Sequence, residues 1–257
     1  MLLAINANNT NTVFAIWDGD QMRGAWRLST NARRTADEYV VWLDHMLALA
    51  DLSRRAIHAA IVASVVPEAN FNLFRLCRTY CQAEPLVVGE PGVAIGARAL
   101  VDRPEEVGAD RLVNTVAAHE RYRGPLIVVD FGTATTFDVV DADGNYRGGV
   151  IAPGINLSLQ ALSMAAAKLP SVPIARTATV IGTSTVVCMQ SGIYWGYVGL
   201  VEGLVARIKG EFGQPMRVVA TGGLSPLLEG ATPVIETIDG NLNLLGLRLV
   251  YERNRTP

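Results

Sequence analysis

The chain has 257 residues, half of them hydrophobic, and its 22 basic side chains nearly balance its 24 acidic ones. This length accommodates two domains of about 100 to 150 residues, each with its own core. The net charge of −2, without a basic block, argues against binding to nucleic acid or to an anionic membrane surface, and no apolar run approaches the roughly 20 residues of a membrane span.

The chain begins with a predicted β-hairpin. Leu2–Ile5 and Val13–Trp17 have the apolar composition of short strands, and the polar segment Asn6–Thr12 lies between them. Hydroxyl groups and successive backbone N–H groups in such a turn can bind phosphate oxygens without a lysine. An ordinary turn of small polar residues is the alternative.

Between residues 35 and 121 the pattern predicts three helices and one buried strand. Thr35 and Glu38 form a capping-box motif at the start of the first helix. The predicted elements are a helix over about 36–50, a strand over 57–66, and helices beginning at Pro67 and at Pro104.

The tetrapeptide Gly108-Ala109-Asp110-Arg111 lies inside the helix predicted from Pro104. Glycine inside a helix costs roughly 1 kcal/mol relative to alanine, so something other than local stability favours it there. One such reason is the close approach of a small ligand. A surface Asp-Arg pair beside an incidental glycine is the alternative.

A second hairpin repeats the first one. Leu126–Val129 leads into the polar turn Asp130–Thr136, followed by the strand Phe137–Val140, and Asn6 and Asp130 occupy equivalent positions 124 residues apart. The repeat predicts two similar α/β domains, 1–122 and 123–257, with a junction near 121–125.

The second half completes the prediction with three helices and one strand. The helices are expected near 156–168, 184–210 and 241–254, and the strand over 217–220, ending at Thr221-Gly222-Gly223. The segment Val186–Val205 is rich in aromatic side chains. It is either part of a dimer interface or a buried helix.

Several kinds of site are excluded or disfavoured by the sequence. The only lysines, Lys168 and Lys209, are followed by neither serine nor threonine, which excludes a P-loop, and no Gly-x-Gly-x-x-Gly follows a strand. The three histidines are scattered along the chain, which disfavours a zinc site or a cysteine/histidine pair. The cysteines, odd in number, indicate packing residues in a reducing, cytoplasmic compartment; they are Cys77, Cys81 and Cys188.

The motifs together resemble the type III pantothenate kinase family over residues 1–254. The segments that carry the resemblance are 3–14, 108–111, 130–136, 189–192 and 221–224. The resemblance implies an α/β fold of the actin/Hsp70/sugar-kinase type, with two ribonuclease-H-like domains and an interdomain nucleotide cleft. It implies ATP-dependent phosphorylation of pantothenate to 4′-phosphopantothenate, the first step of coenzyme A biosynthesis. It further implies a homodimer that requires K⁺ or NH₄⁺ in addition to Mg²⁺ with ATP.

The resemblance also assigns roles to individual residues. Asp110 corresponds to the proton acceptor, Asp130 to a ligand of the monovalent cation, and Arg111 suits the carboxylate of the substrate. The residues that match the ATP-binding segments are Asn6, Ala7, Asn8, Asn9, Thr10, Asn11, Thr12, Val13 and Thr133. Those that match the substrate-binding positions are Val101, Gly108, Ala109, Asp110, Arg111 and Thr185.

The chain departs from the family pattern at several of these positions. Asn6 replaces a usual aspartate, Asn8 a glycine and Val101 a tyrosine, and the segment 182–185 lacks the usual lysine. An amide keeps an oxygen ligand but loses the charge that attracts Mg²⁺. The departures leave two alternatives open, a non-catalytic or weakened regulatory homologue and a kinase for a different small alcohol.

Overall fold

The computed structural model describes residues 1–165 and 169–255. Contacts between Cα atoms divide the chain into two units. One unit comprises Met1–Arg121 together with the segment that begins at Leu242, and the other is Tyr122–Asn241. Each unit contains one five-stranded mixed sheet.

Within its described residues, the first unit contains five strands and four α-helices. Its sheet has the order β3-β2-β1-β4-β5, in which β1, β2 and β3 are antiparallel neighbours and β4 and β5 continue in parallel. The strands are β1 (Leu2–Ala7), β2 (Asn11–Asp18), β3 (Gln21–Ser29), β4 (Ala59–Ser64) and β5 (Pro85–Val87). The helices are α1 (Ala36–Leu49), α2 (Pro67–Arg75), α3 (Ala109–Tyr122) and, from the C-terminal segment, α6 (Leu242–Asn254).

The second unit has the same sheet topology. Its order is β10-β9-β6-β7-β8, with β6, β7 and β8 antiparallel and β9 and β10 parallel to β6. The strands are β6 (Leu126–Phe131), β7 (Ala134–Val140), β8 (Tyr146–Pro153), β9 (Arg217–Thr221) and β10 (Thr237–Ile238). The helices are α4 (Ile155–Ala165) and α5 (Thr185–Phe212). The predicted duplication is therefore confirmed, since both units have three antiparallel strands followed by two parallel ones.

The local helix signals are also confirmed. Thr35 caps α1, because its side chain accepts a hydrogen bond from the Glu38 N–H while the Glu38 carboxylate accepts one from the Thr35 N–H. Cys77 and Cys81 are buried in the core of the first unit, where a single turn of π-helix, Leu76–Tyr80, continues α2.

The long helix α5 is a core helix. Its side chains Tyr194 and Tyr197 are buried against β6 and β9 residues of the second unit, with Val198, Val201 and Val205 on the same side of the helix. The aromatic richness of this segment is thus explained by packing within one unit, which favours the buried-helix alternative.

Some element bounds differ from the sequence prediction. The turns of the two hairpins span only residues 8–10 and 132–133, because backbone pairing continues through the polar segments. The strands β3, β5, β8 and β10 were not predicted. They lie at or next to sheet edges, where half-exposed residues give weak hydrophobic patterns. The last three residues of the helix predicted over 156–168 lie outside the described residues.

The C-terminal helix α6 belongs to the first unit, although it follows the second unit in the sequence. The predicted ranges 1–122 and 123–257 place it in the second domain, whereas α6 packs on the sheet of the first unit and its Gly246 lies against the backbone of Val113 in α3. A side chain at Gly246 would place Cβ 2.2 Å from the Val113 carbonyl oxygen. Close helix–helix approach therefore attaches this helix to the first unit.

Candidate active site

The first hairpin presents a short polar turn at the end of the central strand β1. Asn6 and Ala7 still pair with Val13 and Thr12, so only Asn8, Asn9 and Thr10 form the turn itself, while Asn11 begins β2. The Asn8 N–H donates to the Asn11 carbonyl over 3.0 Å, and the Thr30 hydroxyl of β3's C-terminal flank donates to the Asn8 carbonyl over 2.5 Å. The turn is thus held by its own backbone and by the neighbouring strand.

The amide oxygens of Asn6 and Asn8 have no hydrogen-bond partner although both atoms are buried. The Asn6 side chain is only 5% exposed. Asn6 is the penultimate residue of β1 and Asn8 is the first residue of the turn, so the two amides are two residues apart along the chain. A buried acceptor without a partner is costly, and these two acceptors suit a cation or a donor group rather than a phosphate oxygen. The residues present therefore fit a bound metal ion.

Two glycines, Gly154 and Gly222, pack closely against the second hairpin. Asp130 is the penultimate residue of β6 and pairs with Thr136 and Thr221 on the two neighbouring strands, and Thr133 is exposed in the turn. A Cβ on Gly222, whose φ is +90°, would lie 2.4 Å from the Asp130 carboxylate oxygen Oδ1. A Cβ on Gly154 would lie 2.3 Å from the Thr133 carbonyl oxygen. Only glycine allows this approach, so Gly222 and Gly154 shape the surroundings of Asp130 and Thr133.

The structure corrects the position of Gly108. The segment Pro104–Glu106 is one turn of 3₁₀-helix, Val107 is extended, and α3 begins at Ala109. The Gly108 carbonyl accepts the first hydrogen bonds of α3, from Arg111 over 3.1 Å and from Leu112 over 3.3 Å. Glycine therefore precedes the helix and does not interrupt it. Its missing side chain leaves space for Asp110, whose Oδ1 would be 2.6 Å from a Cβ at this position.

Asp110 lies in the first turn of α3. Its Oδ1 accepts a hydrogen bond of 2.9 Å from the Arg111 N–H. Burial raises the pKa of the Asp110 carboxyl, although this hydrogen bond and the charge of Arg111 oppose the effect. A carboxyl group with a raised pKa in the first turn of a helix is suited to accept a proton from a substrate.

A contact to Asp110 that the sequence did not reveal comes from α6. The Asn243 amide nitrogen Nδ2 donates to the Asp110 carbonyl over 3.4 Å, across 133 residues of sequence. No local pattern predicts such a pair, because it depends on how α6 packs beside α3.

The remaining predicted substrate residues lie in different parts of the chain. Val101 is half-buried in the loop before Pro104, in the first unit with Asp110 and Arg111. Thr185 is the first residue of α5 in the second unit, directly after Ser184, which caps this helix by accepting a hydrogen bond from the Val187 N–H. The proposed residues are therefore distributed over both units.

Two general features of the described residues bear on possible ligands. Within residues 1–165 and 169–255, no group of three or more histidine, cysteine, aspartate or glutamate side chains is arranged to hold a metal ion. None of the helices in the same ranges combines the length and apolar character needed to cross a membrane.

Comparison with known proteins identifies the family. Residues 2–207 match the family model of type III pantothenate kinase. A type III pantothenate kinase from Paramagnetospirillum magneticum is 65% identical over 257 residues, which cover 100% of this chain and 99% of that protein.

Solved structures with low sequence identity share the fold. The activator of 2-hydroxyisocaproyl-CoA dehydratase from Clostridium difficile, with bound ADPNP, has a TM-score of 0.54 at 12% identity, over 98% of this chain and 96% of that one. An inorganic polyphosphate/ATP-glucomannokinase from Arthrobacter has a TM-score of 0.51 at 13% identity, over 99% of each chain. The α/β fold is thus of the predicted actin/Hsp70/sugar-kinase type, and the chain belongs to the type III pantothenate kinase family.

Proposed function

We propose that this protein transfers the γ-phosphoryl group of ATP to the primary hydroxyl of pantothenate, giving 4′-phosphopantothenate and ADP in the first step of coenzyme A biosynthesis. The observation that carries the proposal is the 65% identity, over the whole chain, to a protein named type III pantothenate kinase. The raised pKa of Asp110, at the start of α3, supports the same chemistry.

In the proposed reaction Asp110 acts as the general base. The substrate hydroxyl oxygen forms a bond to the γ-phosphorus, the bond from that phosphorus to the β,γ-bridging oxygen breaks, and the hydroxyl proton passes to the Asp110 carboxylate. Arg111 holds the carboxylate of pantothenate through its guanidinium fork. Val101, Gly108, Ala109 and Thr185 complete the proposed substrate-binding set.

The hairpin turns bind the nucleotide in this proposal. The first hairpin segment, Asn6 to Val13, contacts the phosphates through its turn, where backbone N–H groups and the Thr10 hydroxyl donate to phosphate oxygens together with Thr133 of the second hairpin. This arrangement replaces a P-loop lysine, which the sequence lacks. Catalysis then depends mainly on positioning and on neutralising the phosphate charge.

Cations supply the positive charge that lysine supplies in other kinases. The buried oxygens of Asn6 and Asn8 are the groups that would hold Mg²⁺ with ATP. The Asp130 carboxylate, beside the glycine at position 222, would hold K⁺ or NH₄⁺. A bound Mg²⁺ ion neutralises negative charge on the transferred phosphoryl group.

The direct test is an assay with purified protein. We expect ADP and 4′-phosphopantothenate to form in equal amounts from ATP and pantothenate in the presence of Mg²⁺, and faster with K⁺ or NH₄⁺ than with Na⁺. Product identity is measured by mass spectrometry and ADP release by a coupled assay. Absence of turnover at saturating ATP and pantothenate would contradict the proposed function. ADP release with another small alcohol but not with pantothenate would instead indicate a different substrate.

We also propose that the protein is a homodimer and acts in the cytoplasm. Large exposed apolar side chains of the second unit support an interface between copies; they include Ile151, Leu157, Met164, Val180 and Ile181. Three free cysteines support a reducing compartment. Light scattering should give twice the mass of the chain at micromolar concentration, and a monomeric mass would contradict the dimer.

A further inference from the structure

The C-terminal end of α6 holds a loop that precedes the proposed substrate-binding segment. This loop, residues 94–103, leads from Ala94 through Val101 to Pro104, shortly before Gly108 and Asp110. We propose that Asn254, the last residue of α6, is a positioning residue that fixes this loop for pantothenate binding. The inference rests on the proposed function, since Val101 and Asp110 belong to the proposed pantothenate site.

The side-chain amide of Asn254 makes two hydrogen bonds to one residue of the loop. Its oxygen Oδ1 accepts from the Ala94 N–H over 2.8 Å, and its nitrogen Nδ2 donates to the Ala94 carbonyl over 2.9 Å. Nδ2 also donates to the Val250 carbonyl one turn earlier in α6, over 2.7 Å. Both amide hydrogens are therefore used, and the orientation of the amide is fixed by its own helix. We call this pair of bonds to Ala94 the amide clasp.

A second contact lies two residues further along the loop. Gly96 has a φ of +94°, and a Cβ at this position would lie 2.6 Å from the guanidinium of Arg253. The loop backbone therefore passes directly against the side chain that precedes Asn254 in α6. Two consecutive residues of the helix thus contact the loop, one through hydrogen bonds and one through packing.

The opposite end of α6 is attached to the helix that carries Asp110. Asn243 donates to the Asp110 carbonyl, and Gly246 packs against the carbonyl of Val113. From Asn243 to Asn254 the helix rises roughly 16 Å, with no proline or break between them. One rigid helix therefore holds both the Asp110 segment and the loop that leads to Val101, which fixes the distance between them.

This arrangement predicts which kinetic constant the amide clasp controls. Asn254 contacts neither the Asp110 carboxylate nor the first hairpin turn, so its loss leaves proton transfer and nucleotide contacts in place. A loop released from α6 samples other conformations and binds pantothenate only from a fraction of them, which weakens the apparent affinity for that substrate. The expected signature is a change in the KM of pantothenate without a matching change in kcat.

The experiment compares Asn254→Ala, Asn254→Asp and the matched control Glu252→Ala. Alanine removes the amide clasp, while aspartate keeps the size but cannot donate to the Ala94 carbonyl. Glu252→Ala removes an ion pair of 2.7 Å with Arg248 on the same helix and leaves the loop contacts intact. Steady-state kinetics with pantothenate and with ATP are measured for each variant, together with amide hydrogen exchange over residues 94–103 in the ligand-free protein.

For both Asn254 variants we expect the KM of pantothenate to rise about fivefold to tenfold, while kcat and the KM of ATP stay within about twofold. Exchange of the loop amides should accelerate by at least about tenfold. Glu252→Ala should change neither quantity. A faster-exchanging loop with an unchanged KM of pantothenate would overturn the proposal. So would an equal loss in kcat and in both KM values, because that pattern indicates a general structural defect.

The two proposals fail in distinguishable ways. If the unmodified protein does not phosphorylate pantothenate, the proposed function is wrong, and the pantothenate-positioning role falls with it. If the unmodified protein is active and the Asn254 variants bind pantothenate normally by calorimetry, only the positioning role is wrong.

Discussion

Asp110→Asn is expected to lower kcat by about 10²-fold to 10⁴-fold while the protein remains folded. The amide has the same shape as the carboxyl but cannot accept the proton of the substrate hydroxyl. The Arg111 N–H can still donate to the amide oxygen, so the start of α3 is preserved. Steady-state kinetics at saturating ATP and pantothenate measure the loss.

The same variant is expected to be more stable than the native protein at neutral pH. The folded-state pKa of Asp110 is raised by burial, so the fold favours the protonated form. The stability contributed by this group is present below its unfolded-state pKa and is lost as the pH rises through the raised folded-state pKa. Asparagine removes this cost, and the gain in stability would accompany the loss of activity that the proposed role of Asp110 predicts. Thermal unfolding at neutral pH and at pH 3 measures the difference, which should disappear at the lower pH.

The acidic side of the pH–rate profile gives an independent check on Asp110. In the proposed mechanism activity requires the ionised carboxylate, so kcat/KM should fall on acidification at a pH above the ordinary pKa of an aspartate. The matched control is Asp20→Asn, which makes the same change in charge at an exposed turn of the first unit. A native-like rate for Asp110→Asn, or an equal loss in the Asp20 control, would contradict the assignment of Asp110 as the base.

Asn6→Asp is expected to tighten the binding of Mg²⁺ with ATP by about tenfold and to destabilise the protein in the absence of ligand. The Asn6 oxygen is buried and lacks a partner, and a carboxylate at the same place adds the negative charge that a hard divalent cation prefers. Without a cation the buried charge is uncompensated, which should lower Tm by at least about 3 °C. Adding Mg²⁺ with ATP should therefore raise the Tm of the variant by more degrees than it raises the Tm of the native protein.

Calorimetric titration with MgATP and thermal unfolding with and without the ligand measure these effects. The control Asn31→Asp introduces the same charge at an exposed position outside the hairpin turn and should cause neither change. If Asn6→Asp altered neither the affinity for MgATP nor the ligand-free Tm, the metal-binding role of the Asn6 oxygen would be wrong. A severalfold gain in turnover at limiting MgATP would show that the asparagine limits the native rate.

The candidate site was only partly accessible to sequence reasoning. The motif Gly108–Arg111 was recognised, but its glycine was placed inside a helix that begins one residue later. In the sequence, the helix-start signal at Pro104 continues without a visible break into the helical pattern of α3. In the structure, the extended conformation of Val107 separates the 3₁₀ turn Pro104–Glu106 from α3. The space that Gly108 leaves for the Asp110 carboxylate depends on side-chain geometry and has no local signal.

The sequence by itself determined the two hairpins, the duplication 124 residues apart and the helix start at Thr35, because these features depend on residues that are neighbours along the chain. The tertiary structure alone decided that α6 packs on the first unit and that Asn254 and Asn243 hold the Ala94 and Asp110 segments. It also decided that Gly222 encloses Asp130. Those contacts join residues that are from 92 to 160 positions apart, so they follow from close packing and not from any periodic pattern in the sequence.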